Sequence, residues 1–188
     1  FWPLHQNRNR EVLKKYLPMI REIETGTIKR LEQLAGSKWP EGKIRVDLSA
    51  YASWAGAYSQ NYPSISVIIS SLDPFATEPS LVETLFHEGT HMLFSRTSQF
   101  RSRIYYMSKE MDVKFPRGLW HACQFYLCGR LIQDKFAERG IKYELVMDEK
   151  NIFSATATPA FRSVLESYYQ GRSDLEKTVM GLLLLEEK

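Results

Sequence analysis

The spacing of apolar residues along the chain predicts a mainly helical protein with two short strands. Apolar residues recur at helical spacing from Asn9 to about Ala35, and Gly36 is expected to end that helix. Residues 43–49 and 64–70 show the period-two pattern of half-exposed strands. Helical spacing returns at 80–95, 104–113, 116–138, 160–170 and 173–185. The pattern therefore predicts an α+β fold, mainly α, with a small antiparallel sheet placed before the helix at 80–95.

Composition supports one compact domain that covers residues 1–188. The chain is 44% hydrophobic, and it contains no repeat and no low-complexity linker. No apolar run approaches the roughly 20 residues that a membrane span needs. The net charge is only +3, and Lys and Arg alternate with Asp and Glu. We therefore expect neither a membrane span nor a nucleic-acid partner.

The first residue bears on localisation. The chain begins with Phe1 rather than Met. A removed signal peptide would explain this start, so the sequence favours an extracytoplasmic or secreted protein, with trimming of a longer chain as the alternative. It makes no prediction of an oligomeric state.

The strongest chemical signal is the run from His87 to His91, which reads H-E-x-x-H. Residues four apart lie one above the other on a helix, so both imidazoles can reach one ion. Glu88 then lies where it can take a proton from a water beside that ion. Ser80 and Glu83 match a capping box that would start this helix at an N-cap Ser80. Gly89, costly inside a helix, predicts that another backbone or a substrate passes close by. Together these features predict a zinc site.

A catalytic zinc ion usually has three protein ligands and one open position, so a third ligand is needed. His121 lies in a segment that is apolar almost all round, where a buried imidazole requires partners for its nitrogens. Glu110 follows His91 after eighteen intervening residues, but its neighbours are charged, as on a solvated face. The sequence favours His121 and leaves Glu110 open, with His5 a remote candidate.

Other side chains have possible roles. Tyr58, expected in the loop between the two strands, is a catalytic candidate, because its phenol could donate a hydrogen bond to an oxyanion; packing is the alternative. Gln124 would bond a ligand imidazole or be a satisfied buried amide. Arg101 and Arg103 would form a solvated face or bind a substrate carboxylate. Cys128, expected as a buried thiol, would be the fourth ligand if the metal site were closed and structural.

The segment from His87 to His91 resembles the zincin metallopeptidase superfamily. That resemblance implies a motif helix under a small sheet whose edge strand holds an extended peptide. Segments 55–58, 68–71, 85–88 and 119–122 are also similar to bacterial proteins described only as metal-dependent hydrolases. Glu110 matches the spacing of the gluzincin branch, but Lys109 stands where that branch commonly has Asn.

The expected function is therefore zinc-dependent hydrolysis of a peptide or other small amide substrate. Zinc would be held by His87, His91 and His121, with Glu88 as general base. Two alternatives stay open: a metal-binding protein whose site is structural or inactive, and a metalloenzyme that acts on a non-peptide substrate.

Overall fold

The computed structural model describes residues 1–53, 55–61, 64–73 and 79–186. Within these ranges the helices are α1 (Trp2–Ala35), α2 (Ser80–Thr90), α3 (Gln99–Glu110), α4 (Leu119–Ala137), α5 (Val146–Glu149), α6 (Pro159–Tyr169) and α7 (Leu175–Glu186). The strands are β1 (Arg45–Ser49), β2 (Ala57–Gln60) and β3 (Ser66–Ser70). The predicted α+β, mainly α class is confirmed.

The sheet is three-stranded and mixed, in the order β1-β3-β2. The two predicted strands, β1 and β3, pair in parallel, with Val46 opposite Val67. β2 pairs antiparallel with β3, with Ala57 opposite Ile69. The prediction of a purely antiparallel sheet was therefore wrong. The antiparallel partner of β3 is β2 and not β1. The sequence pattern did not reveal β2, because its four residues lack alternating apolar side chains.

Helix α2 lies at the centre of the molecule, in contact with β3, β2 and α4. Its apolar side packs into the core through Leu81, Val82 and Phe86, each no more than 5% exposed. Helix α4 is also central, as its nearly continuous apolar composition predicted; Leu127 and Ile132 are fully buried. The sequence thus buries one face of the H-E-x-x-H helix against a second buried helix.

The predicted helices lie close to their expected positions, with differences at the ends. α1 begins at Trp2 and runs through Pro18 to the left-handed cap Gly36, as expected at its C-terminal end. α4 begins at Leu119, so Pro116 precedes the helix and does not open it. The short helix α5 had no sequence signal. Within the part of the chain that the structure describes, no helix combines the length and apolar character that crossing a membrane requires.

The start of α2 differs from the predicted capping box. Pro79 occupies the N-cap position, where it makes no side-chain capping hydrogen bond, and Ser80 is the first helical residue. Glu83 instead turns into the core, where it is fully buried. Its Oε2 accepts hydrogen bonds from Tyr143 Oη at 2.6 Å and from the Val146 backbone N–H at 3.1 Å. The predicted capping box was therefore wrong, because the Glu83 carboxylate accepts hydrogen bonds from Tyr143 and Val146 and not from the start of the helix.

Gly89 packs against a side chain, and the atoms nearest to its position belong to Trp39 and not to the predicted neighbouring backbone. A Cβ added at Gly89 would lie 3.0 Å from Cη2 of Trp39. The indole of Trp39, from the segment after α1, therefore packs directly on the backbone of α2. A larger residue would need Trp39 to move.

Glu83 makes the stability of the protein depend on pH. Burial raises the pKa of Glu83 from 4.5 to about 7, against the opposing hydrogen bonds from Tyr143 and Val146. The folded protein thus keeps a proton that the unfolded chain loses between these pH values. Stability should fall as pH rises from about 4.5 to 7, by up to about 3 kcal/mol for this group.

We expect Glu83→Gln to remove this contribution, so the variant should gain stability relative to the wild type as pH rises from 5 to 8. Urea unfolding at several pH values measures the difference. Glu138→Gln, at an exposed carboxylate paired with Lys135, is the control and should show no such trend. A difference between Glu83→Gln and wild type that stays constant with pH would contradict the assignment.

Candidate metal centre

Three histidines converge on one point between α2 and α4. His87 and His91 come from the H-E-x-x-H run, and His121 comes from the first turn of α4. Each offers one ring nitrogen, and these three atoms lie within 4.8 Å of one another. The Nε2 atoms of His87 and His121 are 3.2 Å apart. The three imidazoles are therefore close enough together to bind a single metal ion.

Helix geometry and a buried amide position these rings. His91 is the C-cap residue of α2, but its backbone keeps right-handed helical angles, so the i, i+4 relation to His87 is preserved. Gln124, on α4, donates from Nε2 to the His87 carbonyl oxygen and to Thr90 Oγ1, both at 2.9 Å. Gln124 thus bonds the backbone that carries His87 and not the imidazole, as a buried amide bridging the two helices.

The surroundings keep the imidazoles neutral. Burial, followed by the charges of His91 and His121, holds the pKa of His87 well below its usual range. Burial likewise lowers the pKa of His91 and of His121 to about 4. Neutral imidazole is the form that binds metal. The three rings are therefore in the ligand-competent state at neutral pH.

Glu88 lies beside the three histidines. Its Oε2 is 3.8 Å from Nε2 of His91. Burial raises the pKa of Glu88 to about 7, and a side-chain hydrogen bond with Ser59 partly opposes this rise. A carboxyl group with this pKa can both accept and release a proton near neutral pH.

A cleft of about 1600 Å³ opens over the histidines and Glu88. One wall contains β2, which lies at the edge of the described sheet. Another contains residues 149–153, where Asn151 and Phe153 have φ values of 53° and 57°. Such left-handed angles are uncommon for residues with a side chain, and strain of this kind clusters at functional sites. The ring of Phe153 packs edge-on against His121, with centroids 5.2 Å apart.

The residues present fit a transition-metal ion. In a tetrahedral zinc site with bonds of about 2.0–2.1 Å, two ligand atoms lie about 3.3 Å apart. The 3.2 Å separation between His87 Nε2 and His121 Nε2 is close to this value. Imidazole suits zinc, copper, iron and nickel alike, so the donor set defines a transition-metal site without choosing the metal.

The other candidate ligands lie elsewhere. Glu110 is exposed at the end of α3, where both of its oxygens accept hydrogen bonds from Arg103 at 2.9 Å. His5 lies in the first turns of α1 and is not part of the described group. Cys128 is also outside it, and burial raises the pKa of its thiol well above the usual range, which disfavours the thiolate that binds metal. The structure therefore groups His121, and none of these alternatives, with the H-E-x-x-H pair.

Tyr58 lies in strand β2 and not in the predicted loop, and it borders the cleft with 41% of its surface exposed. Successive strand residues point to opposite faces of a sheet. Ser59 reaches Glu88 and stands opposite the buried Val67, so Tyr58 points to the other face. Its role as an oxyanion donor stays a prediction that this orientation does not support.

The sequence patterns did not identify three further residues at the site. Ser59 contacts Glu88 from the unpredicted strand β2, and Phe153 comes from a loop without a recognisable pattern. Phe125 packs on His87, with ring centroids 3.6 Å apart. Only Phe125 had an available signal, because it lies four residues after His121 and thus on the same side of α4.

No protein-family model, curated protein or solved structure matches the chain. A functional proposal for this protein therefore rests on the residues of the site.

We expect His121→Ala to weaken the binding of a divalent transition metal by more than about 100-fold. Loss of a residue that only supports a ligand costs about 10–100-fold, and removing a ligand should cost more. Glu110→Ala is the matched control and should leave affinity nearly unchanged, since Glu110 pairs with Arg103 outside the histidine group. Competition against a chelating dye measures both variants, with circular dichroism to verify folding. Loss of metal binding in Glu110→Ala, with retention in His121→Ala, would reverse the assignment.

Proposed function

We propose that this protein is a zinc-dependent hydrolase that cleaves peptide or other amide bonds. His87, His91 and His121 would hold the ion, and Glu88 would act as general base. The observation that carries the proposal is the placement of Glu88, whose Oε2 is 3.8 Å from a nitrogen of His91 inside an open cleft. A three-histidine group without an adjacent carboxyl group would support metal storage or structure equally well.

The number of ligands in the histidine group is the number typical of catalytic zinc sites. Three protein ligands are typical of catalytic zinc, whereas structural zinc usually has four. The described residues provide three, and Cys128 is not among them. When bound, zinc would polarise a carbonyl oxygen and lower the pKa of a water molecule.

Glu88 would move the proton. In its ionised form, Oε2 accepts a proton from the attacking water and can then return it to the departing amine. Burial alone favours the neutral form of Glu88, but a nearby cation favours the carboxylate. The hydrogen bond with Ser59 also favours the carboxylate and fixes the side chain against β2. The chain thus provides a base that becomes competent when the neighbouring histidines hold a cation.

The shape of the cleft supports an extended substrate. β2 pairs only with β3 among the described strands, so its other edge can offer backbone hydrogen bonds to an added strand. The resemblance to zincins implies the same use of an edge strand. A volume of about 1600 Å³ also exceeds the roughly 300–1000 Å³ typical of small-molecule pockets. These features favour a peptide over a compact non-peptide substrate.

We expect Glu88→Gln to retain the metal and the fold while reducing hydrolysis at least about 100-fold, because an amide cannot take a proton from water. A substrate is first selected from a peptide library with the zinc-loaded wild type. Turnover, bound zinc and circular dichroism are then measured for the variant.

Glu149→Gln is the matched control, since Glu149 is an exposed carboxylate that borders the same cleft. This variant removes the same charge but should keep turnover near the wild-type level. Undiminished turnover by zinc-loaded Glu88→Gln would remove Glu88 from the mechanism. Absence of any cleavage by the zinc-loaded wild type across peptide and other amide libraries would contradict the proposed function.

A further inference from the structure

Arg101 and two of the three histidines contact the same aromatic ring, that of Trp120. Its Cζ is 3.7 Å from the centroid of the Trp120 ring. The same ring stacks on His121 with a centroid distance of 5.1 Å, and it meets His91 edge-on at 6.0 Å. Trp120 therefore acts as a flat support that holds a guanidinium group beside the metal centre.

The charge of Arg101 is poorly compensated. Arg101 is the third residue of α3, where the helix dipole disfavours a cation, and the first turn contains no acidic residue. The described hydrogen bond of its guanidinium is a long one, 3.5 Å, to the Phe94 carbonyl oxygen. Arg103, two residues later, instead pairs with Glu110 and Glu176. The two arginines therefore differ: Arg103 has carboxylate partners, whereas no described carboxylate pairs with Arg101.

The surroundings of Arg101 are positive as well. Burial and the nearby charge of Arg96 lower the pKa of Arg101. Burial is the main cause of the lowered pKa of His91 and of His121, and the nearby charge of Arg101 contributes to it. A metal ion held by neutral histidines would add further positive charge. Arg101 is only partly buried, so a ligand can reach its guanidinium from solvent.

We infer that Arg101, supported by Trp120 and accompanied by Arg96, binds a carboxylate group of a substrate that extends from the three-histidine site past the edge of the cleft, whose lining does not include these three residues. The guanidinium is planar and can donate two parallel hydrogen bonds to a carboxylate. The inference rests on the proposed function and narrows its substrate class. The preferred substrates are peptides or amides with a carboxylate close to the cleaved bond, such as a free C-terminus.

The direct test compares two probes that differ only at the carboxylate: an N-acetylated dipeptide acid and its C-terminal amide. Isothermal titration calorimetry with the metal-free wild-type protein avoids binding of the acid to a metal ion. Because hydrogen bonds to a charged group are stronger than those to a neutral group, the acid should bind about 10–100-fold more tightly than the amide. Equal binding of the two probes, including no binding of either, would overturn the inference.

Variants test whether Arg101 is responsible for the preference for the acid over the amide. Arg101→Ala should abolish the acid-over-amide ratio, and Arg101→Lys should restore part of it, because lysine keeps the charge but loses the planar pair of donors. Arg172→Ala, at an exposed arginine, controls for net charge and should keep the full ratio. A full ratio in Arg101→Ala would place the carboxylate site elsewhere.

Zinc affinity separates substrate binding from a supporting role. If Arg101 only positioned Trp120 and His121, Arg101→Ala would weaken zinc binding about tenfold or more, as loss of a ligand-supporting residue does. We expect zinc affinity to be unchanged or slightly higher in Arg101→Ala, because removing a nearby positive charge does not disfavour a bound cation, and a loss of about tenfold or more would overturn the inference. The calorimetry also separates the two proposals. An acid preference without hydrolysis would contradict only the proposed function, whereas hydrolysis without an acid preference would contradict only the role of Arg101.

Discussion

The contact between α2 and α4 is the interaction on which the site depends. It brings His121 to within 3.2 Å of His87, although the two residues are 34 positions apart in the chain. Gln124 fixes the register of the two helices by donating to the His87 carbonyl oxygen. The helices are also closely packed near Glu83, because a Cβ added at Gly129 would lie 2.7 Å from Glu83 Oε1.

Burial at this contact sets the protonation of the site in two opposite ways. It lowers the pKa of the imidazoles, which keeps them neutral and able to bind a metal ion. It raises the pKa of Glu83 and of Glu88 on the same helix to about 7. Glu83 bonds to Tyr143 and Val146 inside the core, whereas Glu88 faces the cleft. One physical effect therefore produces a pH-dependent contribution to stability and a candidate proton acceptor.

The sequence predicted the parts of the site that depend on local spacing. A four-residue separation on a helix suffices to place His87 beside His91, and the apolar surroundings of His121 indicated a buried imidazole that needs a partner. Sequence could not predict contacts made across the fold. Ser59 lies on a strand that pairs with β3, a segment outside its own local sequence pattern. The Gly89 contact depends on Trp39, and Glu83 found donors at Tyr143 and Val146 in place of a capping box. Each of these contacts involves side chains or strands far apart in the chain, to which local patterns are insensitive.

The central claim is that three histidines from two helices hold one metal ion and leave one position open. X-ray absorption at the zinc edge of the zinc-loaded protein measures the number and kind of ligands directly. We expect three imidazole nitrogens at about 2.0–2.1 Å and one further light atom from water, with no sulfur. A sulfur ligand at about 2.3 Å would indicate Cys128 and a closed structural site, and fewer than three imidazoles would contradict the histidine group itself.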